Sequence, residues 1–251
     1  MEYICLAAGK GTRFGSLGRY LQKCMYPVGL KPFLEYTIEA LIASSTFDPQ
    51  QDRLTIVVGH KAEQIRDYFG DAYGSLPISY VTQERALGTG HALMTGYHAA
   101  GKPMQVTSWL ADAYVPSEVF SELRRASGDV ARGEISTGTA WAQDLVTIAH
   151  HDDGQAYGHR VDIDTSSQRI TRCWKGGSPY LEVGCWCLSG STIEQMGQAK
   201  TDEFRALYEL QREIESGKPI HYVEAPAWVH LGGTYPTPEA PPLNQGTPAA
   251  P

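Results

Sequence analysis

At 251 residues, with 42% hydrophobic and 20% charged side chains, the chain has the make-up of a globular protein that can bury one substantial core. Its net charge of −7 argues against nucleic acid or an anionic membrane as partner, and no apolar run reaches the roughly 20 residues that span a bilayer. Five scattered cysteines, an odd number without metal-type spacing, suit a reducing compartment, and the N-terminus shows no basic secretory leader, so the chain reads as cytoplasmic. The predicted elements open with a short apolar run, residues 3–6, read as a buried strand that ends in the loop Ala7-Ala8-Gly9. Pro32 can open a helix, because its missing N–H is unpaired there, and Phe33-Leu34-x-x-Thr37-Ile38-x-x-Leu41-Ile42 continues with helical spacing. Residues 54–58 predict a β-branched strand, 62–69 a helix, 78–81 a strand, 90–98 a helix and 106–110 a strand ending at Ala111-Asp112. Such alternation predicts an α/β fold with helices covering a mostly parallel sheet.

Beyond about residue 135 the pattern changes. Strands are predicted at 135–142, 146–149, 160–163, 169–174 and 180–188, and helical spacing resumes at 192–196 and 202–215. From Pro236 onward six of sixteen residues are proline, which predicts a disordered tail over 236–251 behind one domain over 1–235. No internal repeat or hexapeptide array is present.

Two features point to phosphate chemistry. Residues 1–34 hold five basic side chains (Lys10, Arg13, Arg19, Lys23 and Lys31) against one acid, Glu2, a balance of +4 in a chain whose remainder carries −11. Within that segment Leu6-Ala7-Ala8-Gly9-Lys10-Gly11-Thr12-Arg13-Phe14-Gly15 follows the first strand directly. Its glycines let backbone N–H groups face an anion at close range, while Lys10 and Arg13 add charge. It is no Walker A loop, because no Gly-Lys-Ser/Thr closes it. It is no dinucleotide fingerprint either, since the third glycine falls one residue late and no helix pattern begins there. The same string also suits a plain Gly-rich turn between strand and helix.

The wider order of motifs is more specific. Leu-Ala-Ala-Gly-x-Gly-Thr-Arg, then Lys23-x-x-x-Pro27-Val28-x-x-Lys31-Pro32 leading into a helix, closely resembles the sugar-1-phosphate nucleotidyltransferase family. Val57-Val58-Gly59-His60-Lys61 looks like that family's third-strand turn, and Gln83-x-x-x-x-Gly88-Thr89-Gly90-His91-Ala92-Leu93 like its base-reading loop. Ala111-Asp112 sits where the family places Gly-Asp, and Tyr157-Gly158, Lys175 and Gly184 where it places sugar-site elements. The base loop is most similar to that of N-acetylglucosamine-1-phosphate uridylyltransferases.

The resemblance implies a glycosyltransferase-A-type fold, Rossmann-like with a mixed, mostly parallel sheet flanked by helices. It implies in-line transfer of a nucleotidyl group from an NTP to a sugar-1-phosphate with Mg2+, or Mn2+ in its place. Leu6 to Thr12 with Arg13 would hold the triphosphate, Lys23 would reach the α-phosphate, and Asp112 would hold the metal; Arg13, Lys23 and Asp112 are the expected catalytic set. Gln83, Gly88 and Thr89 would read the base, with UTP or dTTP favoured and a purine not excluded. Gly158, Lys175, Glu182 and Gly184 would meet the sugar phosphate. A homo-oligomer is compatible with this reading.

Three departures stand out. Where many members of the family carry Asp or Asn as second metal ligand, Trp228-Val229-His230-Leu231-Gly232 offers His230, a softer ligand than Mg2+ prefers. Trp174-Lys175 replaces the expected Glu-Lys, leaving Glu182 as the substitute carboxylate, and Ala111 replaces a glycine. The first two keep a rival open: a catalytically weakened homologue that binds nucleotide as a regulator or partner subunit. A nucleotidyltransferase acting on a non-sugar alcohol phosphate is the nearer enzyme alternative, and a dehydrogenase is a distant third, since this sequence lacks the acidic residue at the ribose position of that fingerprint. The remaining signals are bland. Residues 150–154 read as a polar turn, Cys185 and Cys187 as core fillers, and His91 and His98 lack the i, i+4 spacing of a ligand pair.

Overall fold

The computed structural model describes residues 1–128, 143–150, 159–197 and 205–232, apart from the side chain of Arg13. In chain order the strands of the first half are β1 (Glu2–Ala7), the hairpin β2 (Pro27–Val28) and β3 (Lys31–Pro32), β4 (Arg53–Val58), β5 (Ala72–Tyr73), β6 (Leu76–Thr82), β7 (Gln105–Leu110) and β8 (Ala113–Tyr114). The helices among them are α1 (Phe33–Ile42), α2 (Ala62–Phe69), α3 (Thr89–Ala99) and α4 (Ser117–Ala126). The second half holds β9 (Asp144–His150), β10 (His159–Asp164), β11 (Arg169–Arg172), β12 (Tyr180–Ser189), α5 (Gly190–Met196), α6 (Ala206–Glu215), β13 (Ile220–Glu224) and β14 (Val229–His230).

Ten strands form one mixed sheet in the order β10-β11-β13-β9-β12-β7-β1-β4-β6-β5. The first half is a parallel block, with β1 between β7 and β4 and β6 beyond β4. The second half joins antiparallel through β12 on β7, and only β13 on β9 is parallel there. Both faces of the parallel block are covered, so that β1 and β4 are buried at every position after the first. Along β1, Tyr3, Cys5 and Ala7 face one core with α1, α2 and α4, whereas Ile4 and Leu6 face a second core with α3, α5 and α6. This period of two sends alternate side chains to opposite layers. α3 lies especially close to the sheet: a Cβ on Gly96 would stand 2.6 Å from Ile4 Cγ2 and 2.8 Å from Val57 Cγ2.

The expected α/β alternation over the first half matches the observed elements to within a residue or two at each end. The segment after the phosphate-type loop, where no helical pattern was expected, forms a 3-10 helix over Thr12–Arg19, kinked at Gly15 with φ 65°. The strand expected over 169–174 stops at Arg172, because the chain there bends through Lys175 at φ +57°. The helix expected over 202–215 begins at Ala206, with Arg205 extended as its N-cap. α4 and β13 belong to no expected element. All five cysteines are buried free thiols, in keeping with Cys185 and Cys187 as core residues. The strand expected over 135–142, most of the turn at 150–154 and the tail at 236–251 lie outside the described residues. Among the described residues no helix is long and apolar enough to cross a membrane.

Candidate active site

The C-terminal ends of β1, β6 and β7 open onto a cleft of about 380 Å3, in the position where α/β sheets bind ligands. Its floor is the loop after β1. Leu6, Ala7, Ala8, Gly9, Gly11 and Thr12 line the cleft, while Lys10 is exposed and not among the lining residues. Gly11 takes φ 58°, a left-handed conformation that a side chain resists, and so reverses the chain into the 3-10 helix, where Phe14 N–H donates to its carbonyl at 2.8 Å. Arg13 belongs to that helix; its side chain lies outside the described residues.

Two contacts that sequence reasoning missed hold this loop in shape. Gln22, only 3% exposed, donates its amide Nε2 to Ala7 O at 2.6 Å and Gly9 O at 3.1 Å, and its backbone N–H donates to Gln64 Oε1 at 2.8 Å. These bonds fix the orientation of the Ala7 and Gly9 peptides beside the cleft. Gly59 presses on the loop from β4, where an added Cβ would lie 2.8 Å from Ala8 O. The one hint in the sequence is that Gln22 directly precedes Lys23 in an otherwise apolar turn.

Across the cleft Lys23 and Asp112, 89 positions apart, meet at 2.6 Å between Nζ and Oδ2. Lys23 is presented by a short 3-10 turn, Lys23–Met25, whose N-cap is Gln22. Asp112 follows β7, in a turn that β8 and β14 close: Leu231 N–H donates to Asp112 O at 2.8 Å, and His230 pairs with Ala113. That pairing brings His230 Nε2 to 3.4 Å from Asp112 Oδ2. Burial works to raise the Asp112 carboxyl, yet His230 and Lys23 beside it outweigh burial and hold it well below the usual carboxylate range. His230 Nδ1 is buried and has no hydrogen-bond partner among the described residues.

The base loop forms the opposite wall. Gln83, Ala86, Gly88, Thr89 and Ala92 line the cleft, with Gln83 anchored by its N–H to Val58 O at 2.8 Å. Gly88, at φ 101°, turns the chain into α3. Thr89 Oγ1 accepts from Ala206 N–H at 3.1 Å, which ties this wall to α6.

The expected sugar-phosphate residues sit further out. Gly184, at φ 81°, backs directly on Leu110, a cleft residue, so that an added Cβ would lie 2.9 Å from Leu110 Cδ1. Glu182 and Lys175 are not among the lining residues, and Gly158 lies outside the described residues. Glu182 is 5% exposed and accepts from its own strand, from Gly184 N–H and from Trp186 Nε1 at 2.8 Å. Burial pushes its carboxyl up to about 7, more than those two hydrogen bonds lower it. Lys175 is exposed in the bend after β11.

Residues 3–211 match the model of the MobA-like NTP transferase domain, more than four-fifths of the chain. The chain belongs to this family. A relative named bifunctional protein GlmU, from Methanococcus maripaludis, is 38% identical over 95 residues, which are 38% of this chain and 21% of the relative. The UTP–glucose-1-phosphate uridylyltransferase AglF of Haloferax volcanii is also 38% identical over 95 residues, 38% of this chain and 37% of AglF. This NTP transferase chain thus matches about a fifth to two-fifths of the length of these curated relatives. A solved structure of UTP-bound UGPase from Acinetobacter baumannii superposes with a TM-score of 0.73 at 15% identity, covering 93% of this chain and 88% of that one. The likeness extends the glycosyltransferase-A-type fold to the whole described domain.

Proposed function

We propose that this chain transfers a nucleotidyl group from an NTP, UTP or dTTP by preference, to a sugar-1-phosphate, giving an NDP-sugar and pyrophosphate. The observation that carries the reading is the Lys23–Asp112 contact at 2.6 Å, set against a glycine-rich loop whose Ala7 and Gly9 carbonyls are held by Gln22. The nucleophile is a sugar-phosphate oxygen, already ionised at neutral pH, so the reaction asks for no general base. It attacks the α-phosphorus, the bond between that phosphorus and the α,β-bridging oxygen breaks, and pyrophosphate leaves with the electron pair. The obstacle is repulsion between two polyanions, which positioned cations and amides relieve.

In this reading the N–H groups from Ala8 to Gly11, with Arg13, hold the triphosphate, and Lys23 turns from Asp112 to the α-phosphate. Asp112 Oδ2 and His230 Nε2 would hold a divalent cation, Mg2+ or Mn2+, which would supply further charge neutralisation at the phosphates. The two donors suit an ion whose other ligands are phosphate oxygens: among the described residues no cluster of three His, Cys, Asp or Glu side chains could hold a metal alone. On the acceptor side Gly184, Glu182, Lys175 and Gly158 remain the proposed sugar-phosphate elements. AglF, by its name, acts on UTP and glucose-1-phosphate, which favours a hexose-1-phosphate as acceptor. The proposed setting is the cytoplasm, where buried thiols stay reduced.

A matrix of four NTPs against several sugar-1-phosphates, with Mg2+ and Mn2+ in parallel and pyrophosphate release as readout, tests the proposal. Release with a uridine or thymidine triphosphate and one sugar-1-phosphate supports it. Nucleotide binding by calorimetry without release under either metal would favour the regulatory homologue instead.

A further inference from the structure

The base wall contains a side chain that the reading above leaves without a task. His91 stands in the first turn of α3, half-buried and behind the cleft lining, and its Nδ1 lies 3.0 Å from Gln83 Nε2. The same Nε2 lies 3.1 Å from Gly88 O. A backbone carbonyl can only accept, so the amide atom facing Gly88 must be the nitrogen; turned the other way, two oxygens would oppose each other at that distance. Both amide hydrogens are then committed, one to Gly88 O and one to His91. Nδ1 must offer a lone pair, which puts the neutral ring's proton on Nε2. Gln83 Oε1 is left over. It makes no hydrogen bond among the described residues, on a side chain that lines the cleft.

We infer that His91 is a specificity-determining positioning residue: by accepting from Gln83 Nε2 it holds the Gln83 carbonyl oxygen toward the nucleobase. This rests on the proposed nucleotidyl transfer and deepens it. A fixed acceptor at this point takes a base that offers a ring N–H, which uracil and thymine have at N3. Cytosine presents a lone pair at that atom and is repelled. The discrimination therefore comes from two side chains: Gln83 touches the base, and His91 joins Gly88 O in holding the amide end that does so. Gly88 O takes one amide hydrogen, and His91 Nδ1 adds a second acceptor that takes the other, so that the flipped amide meets two mismatched partners instead of one.

The test is calorimetric binding of UTP and of CTP to the wild-type chain and to His91→Leu, His91→Ala and His91→Asn. Leucine keeps the volume and removes the acceptor, while asparagine places an amide oxygen near the position of Nδ1. The wild-type chain is expected to prefer UTP. The Leu and Ala variants are expected to lose about fivefold or more of the UTP-to-CTP affinity ratio, the worth of one neutral hydrogen bond, and Asn to restore most of it. A merely structural histidine would lower both affinities together and leave the ratio unmoved. An unchanged ratio in both acceptor-less variants overturns the inference, as does a wild-type chain that binds CTP as tightly as UTP; neither result touches nucleotidyl transfer itself. A wild-type chain that binds no nucleoside triphosphate would overturn the proposed function along with it.

Discussion

Replacing Glu182 by glutamine should make the protein more stable above neutral pH and flatten its pH dependence. The carboxyl is almost fully buried where β12 passes from pairing with β10 to pairing with β7 and its register on β9 shifts. Its folded value of about 7 stands above the ordinary 4.5. Between those two values the folded chain keeps a proton that the unfolded chain has released, so stability falls as pH rises through the interval and is fully present only below it. At about 1.4 kcal/mol per unit, the penalty approaches about 3 kcal/mol when both states are ionised. Between pH 5 and pH 8 the wild-type protein should lose about 2 to 3 kcal/mol that Glu182→Gln does not lose. Glutamine can still accept from Gly184 N–H and Trp186 Nε1, while its new N–H2 lacks an acceptor, a constant cost of about 1 kcal/mol at both pH values. Urea unfolding of both proteins at pH 5 and pH 8 separates the two effects, since only the ionisation effect changes between them. Equal pH slopes would refute the reasoning and mean that the carboxylate is already ionised in the folded chain at pH 5.

Other consequences follow from the cleft. Lys23→Ala should lower kcat by about 100-fold or more, on the order of 3 kcal/mol of transition-state stabilisation, with a smaller change in the KM for NTP; steady-state kinetics of pyrophosphate release would show the split. Gln22→Ala strips the donor from two inward-facing carbonyls and should cost about 1 to 3 kcal/mol in urea unfolding while weakening triphosphate binding by calorimetry. His230→Asp exchanges an imidazole for a hard oxygen ligand and should raise the ratio of Mg2+- to Mn2+-supported turnover. An unchanged ratio would place His230 outside the metal site.

Much of the parallel block was legible in the sequence because its signals are local. Residues 54–58 are a β-branched run and 106–110 a short run of strand length, and 62–69 carries helical spacing that the structure reproduces as Ala62–Phe69. The site was legible as an ordered set of motifs, and the fold brings Lys23 to Asp112 and Gln83 beside Gly88. What escaped depends on non-local geometry. β13 slots in parallel beside β9 although 76 positions separate Asp144 from its partner Ile220, so nothing local announces the pairing. α4 buries Val119, Phe120 and Leu123 at helical spacing, but its polar residues mask the stripe. Gln22 carries little signal in the sequence because its task is defined by carbonyls 13 and 15 positions earlier. The burial of Glu182 and the two N–H groups that its own strand turns onto it at Gly184 and Trp186 were likewise invisible in the sequence.

The most direct measurement is a crystal structure with a non-hydrolysable UTP analogue and a divalent cation. The account predicts the β- and γ-phosphates against the N–H groups from Ala8 to Gly11, Lys23 Nζ at the α-phosphate and the cation at Asp112. Triphosphate density elsewhere, with the Lys23–Asp112 pair intact, would contradict it.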